Sequence, residues 1–149
     1  MNLLLALILT AGTINGLVFT DQHGKNVYLH DTLRKYDYTV LVYSYYKNAK
    51  KGKKLRLRLE ETFKNSRVKV FEMAYLKLIP KLFRGLLKTN MKAIRRQLLL
   101  DFEGVIKERY NLNMKFVNVL MFKGDSLVCV LKNPAYEDVV NEISYGKHK

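Results

Sequence analysis

The chain has 149 residues, 48% of them hydrophobic, which predicts a single domain built around one sizeable core. Its 27 lysines and arginines outnumber its 13 aspartates and glutamates, so the net charge of +14 favours anionic partners. One cysteine and three histidines exclude an intramolecular disulfide, a Cys-x-x-Cys redox centre and the ligand spacing of a zinc site, and we expect no metal and no cofactor.

The N-terminal residues have the pattern of a secretory signal. An apolar run over residues 3–9 is followed by small residues at 10–13, and the first charged residue is Asp21. The run is too short to span a bilayer. We predict a signal peptide over residues 1–16 and a periplasmic or secreted protein, although residues 2–5 lack the usual Lys or Arg. The alternative is a buried N-terminal strand or helix.

A domain is predicted over residues 17–143, followed by a basic tail over residues 144–149. It begins with two short strands, residues 17–20 and 26–29, joined through Gly24 as a hairpin. Asp31 is expected to cap a short helix that extends to Tyr36.

Residues 39–45 are the best candidate for a central strand, because most of them are β-branched or aromatic and none is charged. Tyr43 and Tyr45 share one face of this strand, so we expect them to pack in the core. Stacking on nucleic-acid bases is the alternative role for these tyrosines and for Tyr46.

The rest of the chain alternates between helical and strand patterns. Leu55, Leu59 and Phe63 recur at helical spacing, residues 68–73 resemble a strand, and Pro80 opens a long amphipathic helix that extends to about residue 98. Further strands are predicted over residues 98–102, 116–122 and 127–131, and further helices over residues 105–110 and after Pro134. This order predicts an α/β sandwich with a mixed sheet.

Three stretches of the chain resemble segments of the thioredoxin-like superfamily, in particular its branch that contains the peroxiredoxins and thiol-specific antioxidant proteins. Residues 19–29 resemble an opening hairpin of the form F-x-D-x-x-G-x-x-V-x-L. Residues 100–110 resemble a segment of the form D-x-x-G-x-x-x-x-x-Y. Residues 119–125 resemble the strand and turn that come before the last hairpin strand. The resemblance implies a three-layer α/β/α sandwich with a mixed central sheet and an N-terminal β-hairpin.

The resemblance also implies a redox site, which this sequence lacks. Catalytic relatives carry a nucleophilic cysteine after the central strand, at a helix N-terminus that stabilises the thiolate. Residues 44–54 contain no cysteine, and Phe116, Val117 and Asn118 stand where relatives have a proline facing it. We therefore expect a non-catalytic member of the superfamily.

Basic residues are concentrated in two segments, the loop after residues 39–45 and the helix after Pro80. At about 100° per residue the cations of that helix lie on one side and its apolar residues on the other, although a packed surface helix with a solvated outer face has the same pattern. We predict that both segments form one anion-binding surface, made of Lys47, Lys50, Lys51, Lys53, Lys54, Lys81, Arg84, Lys88, Lys92, Arg95 and Arg96.

Other candidate groups favour structural roles. Cys129 lies among apolar residues, which is typical of a packing cysteine. Asp101 and Glu103, with His23 or His30 as a base, lack a nucleophile, so we interpret the carboxylates as solvated turn residues and expect Asp21 and Asp101 to stabilise turns.

Three hypotheses for function follow. The leading one is an exported binding domain whose basic surface holds an acidic protein partner or an anionic membrane surface. The second is a thiol-dependent redox protein that uses Cys129, which would need an exposed and electropositive surrounding. The third is non-specific nucleic-acid binding, for which no recognition motif is visible.

Overall fold

The computed structural model describes residues 16–147, so the predicted leader, apart from Gly16, and the last two residues of the predicted tail lie outside the described part. The strands are β1 (Val18–Asp21), β2 (Asn26–Tyr28), β3 (Tyr38–Tyr45), β4 (Val68–Tyr75), β5 (Leu98–Asp101), β6 (Asn118–Lys123) and β7 (Ser126–Lys132). The α-helices are α1 (Leu29–Leu33), α2 (Ala49–Phe63), α3 (Lys81–Met91), α4 (Val105–Tyr110) and α5 (Tyr136–Lys147). A 3₁₀ turn, Tyr46–Asn48, joins β3 to α2.

The seven strands form one mixed sheet in the order β2-β1-β5-β4-β3-β6-β7. β3, β4 and β5 are parallel neighbours. β1 runs antiparallel to β2 and β5, and β6 runs antiparallel to β3 and β7. The predicted mixed sheet with an N-terminal hairpin is therefore confirmed.

Alternating side chains of β3 enter cores on the two faces of the sheet. Val40 and Val42 pack with residues of α2 and α5, among them Leu59 and Ile143. Tyr43 points to the other face, where residues of α1 and α4 cover it. Because burial of one such side chain contributes roughly 1.5–3 kcal/mol, the two cores hold the three layers together.

α3 is shorter than predicted and ends at Met91. The amide of Gln22, in the β1–β2 turn, donates to the carbonyls of Ile94, at 2.9 Å, and Arg96, and its oxygen accepts the Leu98 N–H at 2.9 Å. These contacts hold residues 94–98 in a non-helical path into β5, since the bonded backbone groups are unavailable to a helix. Arg95 and Arg96 therefore lie outside the helix to which they were assigned.

Two smaller differences concern helix ends. α1 begins before Asp31 and ends at Leu33, three residues before the predicted end at Tyr36. Asp31 lies in its first turn, and Tyr28 occupies the capping position without a side-chain hydrogen bond. α5 extends past residue 143 to Lys147 and so takes in most of the predicted tail. None of the helices between residues 16 and 147 has the length and apolar content that a bilayer crossing requires.

Asp21 stabilises the hairpin turn, as predicted. Its carboxylate accepts the His23 and Lys25 N–H groups, each at 2.9 Å. Although partial burial opposes ionisation, these backbone hydrogen bonds keep the pKa of Asp21 below its usual value.

Asp101 also serves a turn, but the expectation that it is solvated was wrong, because it is only 1% exposed. Its carboxylate accepts the Val105 N–H at 2.9 Å and the Ile106 N–H at 3.1 Å, which caps α4. It also accepts the Tyr43 hydroxyl at 2.7 Å. The residue joins β5, α4 and β3, so its role is structural.

Candidate functional site

A cavity of about 720 Å³ opens where the carboxyl ends of β3 and β4 meet the first turns of α2. Ser44 and Tyr45 line it from β3, Ala74 from β4, and Lys50 and Lys53 from α2. The carboxyl edge of parallel strands is where open α/β sheets bind ligands. The volume lies within the range of about 300–1,000 Å³ that is usual for small-molecule sites.

The wall of the cavity is mostly apolar. α3 and the segments on either side of it cover β4 and β5, and their side chains form a small third core. α3 contributes no fully buried residue to this core. The apolar wall consists mainly of Leu76, Ile79, Leu87, Met91, Ile94 and Leu98.

Among residues 16–147, four charged residues line the cavity, and three of them are cations. Lys50 and Lys53 are exposed, whereas Arg96 is partly buried and Glu72 is buried. Arg96 holds Glu72 with two hydrogen bonds, Nε to Oε2 at 2.7 Å and Nη2 to Oε1 at 3.1 Å. That hydrogen bonding to Glu72 raises the pKa of the Arg96 guanidinium, against the opposing effect of burial.

A second arginine completes this network. The Nε of Arg56 lies 2.9 Å from the Glu72 Oε2, and both side chains are 4% exposed. Arg56 Nη1 also lies 2.5 Å from the Glu60 Oε1. Two carboxylates thus neutralise two arginines behind the cavity, and its net positive charge comes from the lysines.

The turn after β3, where the resemblance would place a nucleophilic cysteine, is built from other side chains. Tyr45, Tyr46, Lys47, Asn48 and Ala49 follow one another there. The Asn48 amide oxygen accepts the Tyr45 N–H at 2.9 Å and closes the turn. The Tyr45 and Tyr46 rings stack edge to face with centroids 4.4 Å apart. These groups offer no thiol for disulfide exchange.

The residues predicted for one basic surface are divided between several environments. The cavity brings together Lys50, Lys53 and Arg96. Three other cations, Lys81, Lys88 and Lys92, are exposed on α3 and at its C-terminal end. The exposed residues outside these two groups are Lys47, Lys51, Lys54 and Arg95, of which Lys51 hydrogen-bonds to the Asn133 side chain.

Arg84 points toward the body of the protein. Its guanidinium pairs with Glu103 at 3.2 Å, donates to the Phe102 carbonyl at 3.3 Å and lies 5.0 Å from the centroid of the Phe102 ring. Only 20% of its side chain is exposed. Arg84 therefore fastens α3 to the turn after β5.

An apolar face of α3 is exposed, which the helical periodicity alone did not reveal. Leu82 is 86% exposed, Leu86 63% and Phe83 53%. At about 100° per residue Leu82 and Leu86 lie between Phe83 and the sector of Lys81 and Lys88. Leu87 and Met91 face the cavity. Large apolar residues that are exposed in one cluster indicate an interaction surface.

Cys129 lies on β7, away from the cavity, and is partly buried. Burial, together with the negative charge of Glu142, raises the pKa of its thiol. A raised pKa reduces the thiolate, which is the reactive form of cysteine. The surroundings of Cys129 thus do not favour the redox hypothesis over the binding hypothesis.

Iodoacetamide at pH 7.5 is expected to modify Cys129 at least about tenfold more slowly in the native protein than in urea, because the folded protein shields the thiol and holds less of it as thiolate. Intact-mass measurements over time give both rates. In the native protein the midpoint of the rise in rate with pH should lie above the ordinary cysteine pKa of about 8.5. Equal rates at pH 7.5 in the two states would contradict the assignment of Cys129 to packing.

Solved thioredoxin-like structures are similar to this chain. The pneumococcal exposed lipoprotein thioredoxin of Streptococcus pneumoniae is 13% identical with a TM-score of 0.69, and the match covers 87% of this chain and 98% of that chain. A secreted disulfide oxidoreductase of Mycobacterium tuberculosis is 15% identical with a TM-score of 0.58, over 87% and 95%. A thioredoxin-like protein of Aeropyrum pernix is 11% identical with a TM-score of 0.64, over 92% of each chain. No protein-family model and no curated protein matches the sequence.

Proposed function

We propose that this chain, which has a thioredoxin-like fold, is an exported, non-catalytic binding domain that docks on an anionic membrane surface through α3. The observation that carries the proposal is the outward face of α3, where exposed Leu82, Phe83 and Leu86 lie beside exposed lysines. A helix with one apolar side and one cationic side is typical of segments that lie in the membrane interface.

The non-catalytic role and the export are separate parts of this proposal. The turn after β3 contains no cysteine, and the partly buried Cys129 lies on another strand. The apolar run of residues 3–9 supports export, and two of the similar structures are described as an exposed lipoprotein and a secreted oxidoreductase. A relation to the peroxiredoxin branch rests on the three sequence motifs and remains part of the proposal.

The apolar face of α3 favours a membrane over the other predicted partners. Net charge alone would suit an acidic protein or a nucleic acid equally well. Of the three exposed apolar residues only Phe83 has an aromatic ring that could stack on a base, whereas the two most exposed, Leu82 and Leu86, are aliphatic. Aliphatic side chains beside lysines match the boundary between head groups and acyl chains. We therefore choose the anionic membrane surface as the partner.

Binding to vesicles of phosphatidylglycerol and phosphatidylcholine is expected to weaken at least about tenfold when Lys81→Glu and Lys92→Glu are combined, since each cation near an anionic surface contributes about 1 kcal/mol. Raising the salt from 0.1 M to 1 M shortens the Debye length from about 10 Å to about 3 Å and should weaken binding of the wild type. Cosedimentation measures both effects.

Two matched variants control for net charge and for lost apolar area. Lys64→Glu with Lys123→Glu makes the same charge change at the opposite end of β3, and should leave most of the binding intact. Leu82→Ser should weaken binding severalfold, whereas Leu57→Ser, at an exposed site on α2, should not. Binding that changes neither with salt nor with the Lys81→Glu, Lys92→Glu and Leu82→Ser substitutions would refute docking through α3.

A further inference from the structure

The cavity beneath α3 is a built apolar compartment, separate from the outward face of that helix. Leu87 and Met91 of α3 line it from one side, and Ala74 of β4 and Leu98 of β5 line it from the other. Its volume is about 720 Å³, and most of the surface that lines it is apolar. Such a wall suits a hydrocarbon better than a sugar or a nucleotide, whose hydroxyl groups would lose hydrogen bonds to water.

The charges at the cavity are arranged for an anion at one end. Lys50 and Lys53 are exposed on the first turns of α2, and in the part of the chain that the structure describes neither is paired with a carboxylate. Glu72, the one carboxylate of the lining, is already held by Arg56 and Arg96. It therefore adds little repulsion toward an incoming anion.

We infer that this cavity binds one long alkyl chain that carries an anionic head group, a carboxylate or a phosphate. The chain packs against Ala74, Leu87 and Met91, and the head group lies at Lys50 and Lys53. The combination of an apolar compartment and an unpaired cationic end carries the inference. It goes beyond membrane docking, because the cavity and the outward residues of α3 are different surfaces and a monomeric ligand needs no membrane.

Oleate and its neutral counterpart oleyl alcohol test the inference on the full chain, both kept below the concentrations at which they aggregate. Displacement of the fluorescent fatty acid cis-parinarate measures both affinities. We expect oleate to bind at least about tenfold more tightly than oleyl alcohol, because only oleate engages the lysines. Equal affinities, or no displacement by oleate, would overturn the inference.

Charge variants locate the head group. The double variant Lys50→Glu with Lys53→Glu should lower the affinity for oleate at least about tenfold. It should change the affinity for oleyl alcohol by less than about twofold. Lys64→Glu with Lys123→Glu makes the same change in net charge at the other end of β3 and should alter neither affinity. Equal loss of oleate binding in both pairs would overturn the placement at Lys50 and Lys53.

Cavity-filling variants locate the alkyl chain. Ala74→Phe fills the cavity from the sheet and Leu87→Trp fills it from α3, so that a folding defect in one leaves the other as a test. Circular dichroism establishes which variants are folded. If a folded variant has an affinity for oleate within about twofold of that of the wild type, the inference is overturned.

A vesicle experiment identifies the source of the ligand. Protein incubated with phosphatidylglycerol vesicles is separated from them by gel filtration, and native mass spectrometry then measures the mass of the protein with any bound lipid. Retained lipid assigns the ligand to the membrane, and oleate binding without retained lipid assigns it to free fatty acid; both results support the cavity. Loss of vesicle binding in Lys81→Glu with Lys92→Glu while oleate still binds separates this inference from the proposed function.

Discussion

Replacing Glu72 with alanine is expected to lower the free energy of unfolding by about 3–5 kcal/mol, the usual cost of removing one partner from a buried ion pair. Glu72 is 3% exposed and is the carboxylate that both Arg56 and Arg96 contact. Without it, Arg56 keeps Glu60, whereas Arg96 loses both of its hydrogen bonds to a carboxylate. Urea unfolding followed by circular dichroism measures the difference.

A surface substitution calibrates this result. Glu61→Ala removes a carboxylate that pairs with Lys64 while 74% of the glutamate side chain is exposed, so its cost should be about 0–1 kcal/mol. Glu72→Gln keeps the shape of the side chain and should cost less than the alanine variant. If Glu72→Ala and Glu61→Ala cost the same, Glu72 does not organise this network.

Replacing Asp101 with alanine should lower the free energy of unfolding by about 2–4 kcal/mol, because its one carboxylate satisfies three donors from two other elements. The α4 N–H groups of Val105 and Ile106 would lose their cap, and the Tyr43 hydroxyl would be buried without its acceptor. Burial and the neighbouring Asp101 charge raise the pKa of Tyr43, so the phenol remains a donor at every pH at which the protein is expected to be folded.

A double-mutant cycle separates the two roles of Asp101. Tyr43→Phe removes only the hydroxyl and should cost about 1–2 kcal/mol. If the hydroxyl and carboxylate interact as described, the double variant Tyr43→Phe with Asp101→Ala should be more stable by at least about 1 kcal/mol than the sum of the single effects predicts. Strict additivity would contradict the hydrogen bond.

Local sequence patterns predicted most of the fold. Residues 105–110 were predicted as a helix with the bounds that α4 has, and residues 39–45 match β3 to within one residue. Both segments have a pattern that agrees with their tertiary surroundings: Tyr43 on β3 and Ile106 on α4 lie in the same core.

The end of α3 could not be predicted from local patterns, because Gln22 determines it from more than 70 residues away. The same limit applies to the basic surface. A helical projection places Arg84 and Arg96 with the other cations. In the structure Arg84 pairs with Glu103 and Arg96 pairs with Glu72. A sign of the second contact was present in the sequence, since Glu72 is the one carboxylate in the apolar run that became β4.

Whether an apolar face is covered is also a tertiary property. The spacing of Leu82, Leu86 and Leu87 predicts an amphipathic helix, but only the packing of α3 on β4 and β5 leaves two of these leucines in solvent. The candidate surface for membrane binding therefore became visible only in three dimensions.

The contacts of Gln22 restrict which residue can occupy the tip of the hairpin. Its nitrogen supplies hydrogens to two carbonyls while its oxygen takes one from a backbone amide. An ionised glutamate has the same size but cannot donate a hydrogen bond, and a lysine cannot accept one. An asparagine has both functions, but its side chain is shorter by one methylene group. The position where α3 gives way to β5 is thus encoded by a primary amide of one particular length, 72 to 76 residues earlier in the polypeptide.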